Sequence, residues 1–396
     1  MKKICLIFFL CLFIANAKEQ KLVKSDFPQE NYPNLSLNSC DKNCLLELLE
    51  ARLYLSFLCE FVENNDEFLS NVYAKLLNSI TDFDSNLQKI TAVKLAIIIP
   101  EKTLKSYSNI IINASLAYLL RQRAEIKVKV FLIGTEDNKK IQETLSQIEA
   151  QNYAYVIAGF TLKGANALSA YNGNLKIFIP TLNKNTSQIQ NQNIYFGGID
   201  YDAQIAKLLE NSNANIAVFT DNSSLASNLN TKILKQKEQS RFFRIESEKI
   251  NFQNFLRTQG GLRQASIFFN TPLIKTALIS SQLRVHNINP YILLSTQINY
   301  APAFLSLTQA NDRKNFLIAN SIDKNDTNLN YLNEIFNQNL DYNWVAYATS
   351  VGIDYFYTQF LNTQSERIFE EKIQDSQFIY KIRLMKALEG NFEELQ

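Results

Sequence analysis

The sequence predicts an α/β protein whose main domain has two lobes, each built on a doubly wound parallel sheet, with a short helical hairpin in front. Three observations support this prediction. From residue 92 onward, apolar segments of strand length alternate with segments of helical period. The alternating series starts twice, and each half has about 110 residues, which is an ordinary domain size. Before residue 92, apolar residues recur at steps of three and four, a helical period.

The first 17 residues have the three parts of a secretory signal peptide. Residues 1–3 carry two lysines, residues 4–14 are apolar, and residues 15–17 place two alanines around one asparagine. The apolar run is shorter than the roughly 20 residues that a membrane-spanning helix needs. Cys11 follows a leucine where a lipoprotein signal would have a small residue, so no lipid anchor is expected. We predict cleavage after residue 17, a polar leader over 18–38 and a periplasmic location; an uncleaved N-terminal anchor is the alternative.

Composition argues against two classes of function. The signal peptide contains Lys2 and Lys3 and no acidic residue, so its removal lowers the 40 Lys and Arg residues to the number of Asp and Glu residues, 38. A formally neutral chain without a basic stripe is not typical of nucleic-acid binding. No later segment is apolar for long enough to span a bilayer, so no transmembrane segment is expected in the mature chain.

Three cysteines would remain after cleavage: Cys40, Cys44 and Cys59. In an oxidising compartment a nearby pair should be bridged. A spacing of four residues permits Cα atoms about 6 Å apart, within disulfide range, so we predict a Cys40–Cys44 bridge. A single helix over 43–63 would hold Cys44 and Cys59 about 22 Å apart, because each residue rises about 1.5 Å. We therefore expect Cys59 to be free and buried; the alternative is three reduced core cysteines.

A helical hairpin is predicted over 39–90. Its helices cover 43–63 and 66–80, and the polar residues 63–65 form the turn between them. The first helix carries apolar residues on both sides, which predicts that it is largely buried. One hairpin cannot bury its own faces, so a partner or the main domain should cover it.

The main domain, residues 92–396, is predicted to consist of alternating strands and helices. Strands are expected at 92–100, 128–133, 153–160, 175–180, 194–198, 216–220, 241–245, 265–269, 291–295 and 315–319. Helices are expected at 104–122, 138–151, 162–171, 223–236, 251–264, 272–284, 328–339 and 343–361, and a final hairpin at 377–396 with its turn at 389–391. Such sheets bind ligands at the carboxyl ends of their strands, which predicts a site between the lobes.

Four stretches of the main domain resemble a known family. They are an opening strand at 93–100 (VKLAIIIP), a strand, turn and helix at 155–168 (YVIAGFTLKGANAL), a passage into the second lobe at 193–205 (NIYFGGIDYDAQI) and a late helix at 345–356 (VAYATSVGIDYF). Over roughly residues 92–395 the chain resembles the type 1 periplasmic-binding-protein superfamily. It is most similar to the C-terminal domain of penicillin-binding-protein activators, outer-membrane lipoproteins that stimulate peptidoglycan synthases.

This resemblance implies a non-enzymatic periplasmic protein that acts as an interaction or regulatory module in the cell envelope. The chain departs from the activators, which have a lipid anchor and a larger helical repeat domain. The alternative is a solute-binding protein that delivers an amino acid or a small polar ligand to a transporter or receptor. Amino-acid-binding relatives use a Ser/Thr cluster and an acidic residue, whereas here Thr161 is followed by Leu162 and Lys163. The partner is accordingly an envelope protein or a small polar ligand.

Residues for catalysis or for a cofactor are not evident. His286 is the single histidine and has no Ser or Cys setting of a nucleophile, which argues against a histidine-based triad or a His-rich zinc site. No dinucleotide or phosphate loop occurs, and the pairs 197–198 and 260–261 are interpreted as glycine turns. The carboxylate pairs at 370–371 and 393–394 are interpreted as surface charge. No catalytic residue, metal or cofactor is expected.

If the cleft binds a ligand, the turns after the strands should supply the contacts. The polar residues at these positions are Glu101, Thr161, Thr181, Asp221, Asn270 and Thr296. Glu101 or Asp221 would hold an ammonium group, and the hydroxyls and the amide would hold a carboxylate. The alternative is that each of them serves only a turn or a helix cap, because these residue types favour such places for backbone reasons.

One short motif predicts a modification. Residues 323–327 (DKNDT) contain an Asn-x-Thr glycosylation acceptor at Asn325. An acidic residue two positions earlier gives an extended form that resembles the sequon of bacterial periplasmic N-glycosylation. The tripeptides at Asn34, Asn113, Asn185 and Asn222 lack that acid. Chance occurrence in an Asn-rich chain is the alternative.

Overall fold

The computed structural model describes residues 40–62, 66–81, 93–122, 126–245, 256, 261–323, 325–363 and 365–395. The chain divides into two units, Met1–Lys89 and Ile90–Gln396. The predicted signal peptide, the leader and the turn at 63–65 lie outside the described residues. So do residues 251–255 and 257–260 of the helix expected at 251–264, and with them Gly260. Residues 261–264 are described and are not helical, so the predicted end of that helix is wrong.

The described part of the first unit has three helices with a small core of their own. Its helices are Lys42–Glu50, Tyr54–Glu60 and Glu67–Thr81. The core consists of Leu45, Leu48, Phe57 and Leu69, all buried. Asp41 caps the first helix by accepting from the Cys44 N–H at 2.9 Å. The Cys40–Cys44 disulfide is present with its Cα atoms 5.4 Å apart, as predicted.

The prediction of one continuous helix over 43–63 is wrong. Arg52 has a φ of +59°, and the N–H groups of Arg52 and Leu53 donate back to the carbonyls of Leu49 and Leu48. This pair of bonds around a left-handed residue is a Schellman helix end. Cys59 lies in the next helix and is free, but it is exposed, so its predicted burial is also wrong. The first helix therefore ends at Arg52, and a pattern of apolar residues alone does not reveal this end.

The second unit contains two seven-stranded sheets and therefore two lobes. Lobe 1 has the strand order β11-β12-β5-β4-β3-β1-β2, and lobe 2 has β14-β13-β10-β9-β8-β6-β7. In chain order β1 to β14 are Val93–Ile99, Ile126–Leu132, Tyr155–Ala158, Lys176–Ile179, Ile194–Phe196, Ile216–Thr220, Arg241–Arg244, Ser266–Asn270, Ile292–Ser295, Phe316–Asn320, Lys372–Gln374, Gln377–Ile379, Arg383–Ala387 and Phe392–Glu394.

Helices cover the faces of these sheets. They are Glu101–Leu104, Tyr107–Arg121, Asn138–Ala150, Leu162–Asn166, Tyr201–Leu209, Ser224–Gln236, Leu273–Val285, Pro302–Leu307, Thr327–Ile335 and Trp344–Phe356, the last continued by a π-helical turn at Tyr357–Leu361. Short 3₁₀ turns lie at Lys184–Thr186, Gln297–Asn299 and Ala310–Asp312. The predicted two-lobed α/β class is confirmed, and helices precede the first strand as expected.

Both sheets are mixed, whereas fully parallel sheets were predicted. β1 to β5 pair in parallel in lobe 1, and β6 to β10 do so in lobe 2. After β10 the chain returns to lobe 1, adds the hairpin β11–β12, and then adds β13 and β14 antiparallel to lobe 2. The chain therefore passes between the lobes after β5, after β10 and after β12.

Among the elements that were not predicted are the helix Tyr201–Leu209, the helix Pro302–Leu307 and the hairpin β11–β12. The first has Asp200 as its side-chain cap, and the second has proline at its first position. Both are short, and the strands of the hairpin have three residues each, so none of them shows a full hydrophobic period. The predicted final hairpin is present as β13 and β14.

Close packing joins the helix Trp344–Phe356 to the sheet of lobe 1. A Cβ on Gly352 would lie 2.1 Å from the Phe178 ring, so only glycine permits this approach. Asp354, on the same helix, is fully buried and accepts from the Tyr118 hydroxyl at 2.8 Å and from the Arg367 guanidinium at 3.2 Å. Lobe 1 thus has an ionic contact inside an aromatic core.

The interpretation of residues 370–371 as surface charge is wrong for Glu371. Its side chain is buried and accepts from the Tyr347 hydroxyl, whereas Glu370 is exposed. Neighbouring residues of an extended segment point in opposite directions, so only one of the two can face water. Burial raises the pKa of Glu371. Glu393 and Glu394 are exposed, as expected.

None of the helices in the described ranges combines the length and apolar composition that a membrane crossing requires. Within the same ranges, no three His, Cys, Asp or Glu side chains group together as ligands for a metal ion.

Candidate functional site

A cleft of about 540 Å³ lies between the two lobes. Lobe 1 contributes the turns after β1, β3 and β4, and lobe 2 contributes the starts of two helices. The lining residues are Leu104, Tyr107, Phe160, Thr161, Leu162, Thr181, Leu182, Asn183, Thr186, Ile199, Asp200, Tyr201, Asp202, Ser224, Leu225, Asn228, Lys232, Trp344 and Val345. Ten of these nineteen side chains are aliphatic or aromatic, so the wall is largely apolar.

On the side of lobe 1, two of the predicted residues line the cleft. The Thr161 hydroxyl donates to the carboxylate of Glu136 and also caps the helix Leu162–Asn166. The Thr181 hydroxyl donates to the carbonyl of Phe160 at 2.6 Å. The donor capacity of both hydroxyls is therefore used within the protein, although each oxygen can still accept a hydrogen bond.

On the side of lobe 2, the cleft is formed by one face of the helix Ser224–Gln236. Ser224, Asn228 and Lys232 follow one another at steps of four residues, so they lie in one row. The side chains of Ser224 and Asn228 have no hydrogen-bond partner among the described residues and are exposed to the cleft. They offer a ligand a hydroxyl and an amide, both of them neutral.

All three charged residues that line the cleft have partners inside the protein. Asp202 and Lys232 form an ion pair, and Gln236 donates to the Asp202 carbonyl at 3.0 Å. Asp200 accepts from the Ala203 N–H at 3.0 Å as the helix cap. Lys232, the one cation among the described lining residues, is thus paired with Asp202, so no lining cation is left to complete a clamp for a zwitterion.

Aromatic side chains from both lobes face the cleft. Tyr107 begins a helix of lobe 1 and is half exposed, and Tyr201 begins a helix of lobe 2. Burial raises the pKa of the Tyr201 phenol, and the nearby Tyr107 adds to this rise. Trp344 packs edge-on against Tyr380 with ring centroids 4.6 Å apart. Each tyrosine pairs an apolar ring with a hydroxyl, a combination frequent at binding surfaces.

The other four predicted residues do not line the cleft. Glu101 accepts from the Gly134 N–H at 2.8 Å, and Asp221 accepts from the Ser223 N–H at 2.9 Å and lies 3.8 Å from the Lys275 ammonium. Asn270 donates to Asn230 at 2.8 Å. Thr296 is fully buried, and its hydroxyl has no hydrogen-bond partner. The structure therefore places Thr161 and Thr181 at the cleft, whereas the other four predicted residues do not line it.

An amide network covers the carboxyl ends of the lobe 2 strands. The Gln204 amide donates to Ser321 at 2.8 Å and accepts from the Gln297 N–H at 3.0 Å. The Gln297 amide donates to Asn320 at 3.1 Å and accepts from the Ser321 N–H at 2.7 Å. These four side chains are buried, so the edge of the sheet is closed by protein groups.

Sequence reasoning missed the contribution of helices to the cleft. Tyr201, Asn228, Lys232 and Trp344 lie on helix starts or faces and not in the turns directly after strands. The spacing of Ser224, Asn228 and Lys232 was a usable signal, because steps of four place polar side chains in one row. The signal for Trp344 was weaker, since its neighbours are also apolar.

No protein-family model matches the chain, and no curated protein matches its sequence. Solved structures do share its fold. The branched-chain amino acid transporter substrate-binding protein LivJ of Streptococcus pneumoniae, solved with isoleucine, is 11% identical with a TM-score of 0.54, over 76% of this chain and 98% of that one. An ABC transporter substrate-binding protein of Sphaerobacter thermophilus is 10% identical with a TM-score of 0.57, over 77% and 96%.

A third similar structure is LpoA of Haemophilus influenzae. It is 10% identical with a TM-score of 0.53, and the likeness covers 88% of this chain and 69% of that one. At such identities the likeness concerns the fold alone. The three matches and the two seven-stranded sheets agree, and the chain has the two-lobed fold of type 1 periplasmic binding proteins.

Proposed function

We propose that this protein is a non-enzymatic interaction or regulatory module of the bacterial cell envelope, acting on a peptidoglycan synthase or on another periplasmic assembly. The observation that carries the proposal is the state of the cleft. Asp202 and Lys232 pair with each other, Asp200 caps a helix, and the Thr161 and Thr181 hydroxyls donate to protein oxygens. None of the described lining residues is therefore a cation that is free to hold the carboxylate of an amino acid.

The extent of the similarity to LpoA, a penicillin-binding-protein activator, supports this proposal. That likeness covers 88% of this chain, whereas the likeness to the solute-binding proteins covers 76–78%. The likeness to LpoA is compatible with regulation, and the likeness to the solute-binding proteins is equally compatible with the second candidate below, because fold alone does not fix function.

A periplasmic location fits the same proposal. The predicted signal peptide would deliver the chain to an oxidising compartment, and a Cys40–Cys44 disulfide persists in such a compartment. We infer that residues 1–17 are removed on export. N-terminal sequencing of the protein from its native host should begin at residue 18, and a start at residue 1 would contradict cleavage.

The proposal is tested by binding and activity measured with purified components. Added to a purified peptidoglycan synthase of the same organism, the full mature chain should bind it and raise its glycan polymerisation or crosslinking rate. In parallel, free amino acids at millimolar concentration should leave the melting temperature unchanged. A rise of several degrees with one amino acid, together with no effect on the synthase, would instead establish a solute carrier.

A second candidate function is a solute-binding protein, and one observation favours it. Ser224 and Asn228 offer a hydroxyl and an amide without internal partners at the wall of a cleft large enough for a small molecule. The solute would then be neutral and partly apolar rather than an amino acid. Isothermal titration with neutral aromatic compounds on the wild type and Asn228→Ala would detect such binding.

We also propose that Asn325 carries an N-linked glycan in a host with the transferase. The supporting features are the acidic Asp323 two residues earlier and the partial exposure of Asn325. Intact mass of the protein from its native host should exceed the polypeptide mass, and Asn325→Gln should remove the excess. An unmodified mass would refute the proposal.

A further inference from the structure

A second cavity, of about 730 Å³, lies at the hinge between the lobes. Ile322 and Asn325 line it from the chain crossing after β10, and Lys381 and Arg383 line it from the crossing after β12. None of its lining residues lines the cleft described above, so the two cavities are separate. We call it the hinge cavity.

Two asparagines of the hinge cavity have oxygens without a donor. The side-chain N–H₂ groups of Asn325 and Asn330 both donate to the Asp341 carboxylate, at 2.7 and 3.4 Å. A carboxylate only accepts, so both amide nitrogens must face Asp341 and both amide oxygens must turn away from it. Each oxygen is shielded from solvent and has no hydrogen-bond partner among the described residues. The two amides are thus oriented by Asp341 alone, which makes this carboxylate the group that fixes their positions.

Charges around the hinge cavity nearly balance. Arg383 pairs with Asp323 and with Glu394, the latter at 3.4 Å, and donates to the Ile322 carbonyl at 3.0 Å. Lys381 is exposed and forms no ion pair with any described residue. Its charge offsets that of Asp341, which lies on the same cavity. The cavity thus offers donors and acceptors together without a strong net charge.

Aromatic rings form one wall of the hinge cavity. Tyr300 and Tyr342 lie with ring centroids 5.1 Å apart, and Phe392 packs on Tyr300 at 4.7 Å. Burial raises the pKa of Tyr300, with Tyr342 and Asp341 adding to the rise, which agrees with its place beside the carboxylate. The wall supplies an apolar surface next to the polar groups.

We propose that the hinge cavity is a binding site for a saccharide. Sugar hydroxyls both donate and accept, so they can donate to the exposed Asp341 carboxylate, which Asn325 and Asn330 hold in place, and accept from Lys381. The C–H faces of a sugar ring would pack on the tyrosine wall. A phosphate would be repelled by Asp341, and a divalent cation would find a single carboxylate without an ion pair. This inference does not depend on the proposed function.

The hinge cavity lies where the chain crosses between the lobes, so a saccharide bound there would act on both lobes. Two of the three crossings between the lobes line the hinge cavity, so a saccharide there would contact the segments about which the lobes move. Binding stabilises whichever lobe arrangement holds the saccharide better. The site would therefore link a sugar to the relative position of the lobes.

Two sources would supply the sugar ring. One is a free saccharide, and the other is a glycan joined to Asn325, whose tripeptide is an acceptor and whose side chain lines the cavity. The two sources are distinguished by comparing unmodified protein with glycosylated protein.

The first arm uses the full mature chain made in a host without N-glycosylation. Chitotetraose and maltotetraose are the probes in isothermal titration. At least one of the two saccharides should bind. Asp341→Ala removes a group that contacts the saccharide and Asn330→Ala removes a group that holds Asp341, so each variant should lower the affinity about tenfold. Asn228→Ala in the cleft is the matched control and should leave the affinity unchanged. Asp341 is exposed, so its variant should fold, which its melting temperature will verify.

The second arm uses protein glycosylated in its native host. If the glycan fills the hinge cavity, Asp341→Ala should lower the melting temperature of glycosylated protein by more than it lowers that of unmodified protein. Failure of both arms overturns the proposal. It is also overturned if binding is lost in Asn228→Ala but kept in Asp341→Ala, or if only Ca²⁺ stabilises the protein through Asp341. Because neither arm involves a synthase, failure here leaves the proposed function standing.

Discussion

The two lobes share a strand order but present different parts of the chain to the cleft. Lobe 1 contributes the turns after its strands, including Thr161 and Thr181. Lobe 2 contributes the helix faces that carry Tyr201 and Asn228, while its own strand ends lie under protein side chains. The same order of the first five strands therefore does not place equal chemistry at a site, because side chains beyond the strands decide which backbone ends remain accessible.

The difference has a physical origin in how each lobe satisfies buried polar groups. Lobe 1 satisfies its fully buried carboxylate, Asp354, with Tyr118 and Arg367, and its buried Glu136 accepts from Thr161. Lobe 2 places neutral amides, among them Gln204 and Gln297, directly over the strand ends. A fully satisfied amide network fixes a unique arrangement, but it also occupies the groups that a ligand would use.

The largest effect is expected from the charged group of lobe 1. Asp354→Ala leaves Arg367 and the Tyr118 hydroxyl without their acceptor, so the free energy of unfolding should fall by about 3–5 kcal/mol. Urea denaturation followed by circular dichroism measures this loss. Glu370→Ala nearby is the control and should change little, because Glu370 is exposed. A loss below about 1 kcal/mol for Asp354→Ala would show that Asp354 is not the acceptor that satisfies Tyr118 and Arg367.

A somewhat smaller effect is expected from the amide network of lobe 2. Gln204→Leu keeps most of the side-chain volume but leaves the Gln297 N–H and Ser321 without partners, which should cost about 2–3 kcal/mol. The exposed Gln239→Leu in the same lobe should be nearly neutral. If Gln204→Leu is also neutral, the network does not hold the strand ends closed.

A matched pair of threonines compares the lobes directly. Thr181→Val in lobe 1 removes the hydrogen bond to the Phe160 carbonyl and should cost about 1 kcal/mol. Thr296→Val in lobe 2 removes a buried hydroxyl that has no partner, so stability should stay the same or rise. Thermal denaturation of both variants tests the contrast, and equal losses would show that the Thr296 hydroxyl is hydrogen-bonded after all.

Acid should act on the two lobes with opposite signs. Burial raises the pKa of Asp354 despite the groups that donate to it, so protonation favours the folded state and stability is gained as pH falls through the raised value. Burial alone would raise the pKa of Asp312 in lobe 2, but hydrogen bonds from Arg284, Gln309 and Ser281 together lower it. The stability that ionised Asp312 contributes is present above the ordinary aspartate pKa of about 4, and it is lost as pH falls through the lowered pKa of Asp312.

The Asp312 effect should reach at most about 1 kcal/mol, because Arg284 is 39% exposed and water screens the pair. Urea midpoints of the wild type, Asp312→Asn and Asp354→Asn from pH 7 to pH 2.5 provide the measurement. The destabilisation by Asp312→Asn should shrink on acidification, and that by Asp354→Asn should grow. If the destabilisation by the two variants changed with pH in the same direction, the predicted opposite effects of Asp312 and Asp354 would be ruled out.

Much of the fold could be predicted because it depends on local patterns. β1, β6, β8 and β10 are runs of apolar residues buried on both faces, and such runs are visible in any sequence. The Cys40–Cys44 bridge followed from spacing alone. The break at Arg52 did not, because arginine seldom takes a left-handed conformation and the apolar period continues across it.

The candidate site was predicted only in part. Thr161 and Thr181 reach the cleft because lobe 1 leaves its turns open, which is the simplest outcome for a doubly wound sheet. Asn270 and Thr296 occupy corresponding turns in lobe 2 and are buried.

The sequence by itself determined the two-lobed α/β class, the order of most strands and the disulfide, because each follows from residues close together in the chain. Only the tertiary structure decided which polar groups meet. Gln204 and Gln297 are far apart in sequence, and Asn325 and Asp341 lie on either side of the helix Thr327–Ile335, yet these pairs set what the cleft and the hinge cavity can hold. Long-range pairing leaves no local pattern, since a buried amide is satisfied by whichever partner the fold brings to it.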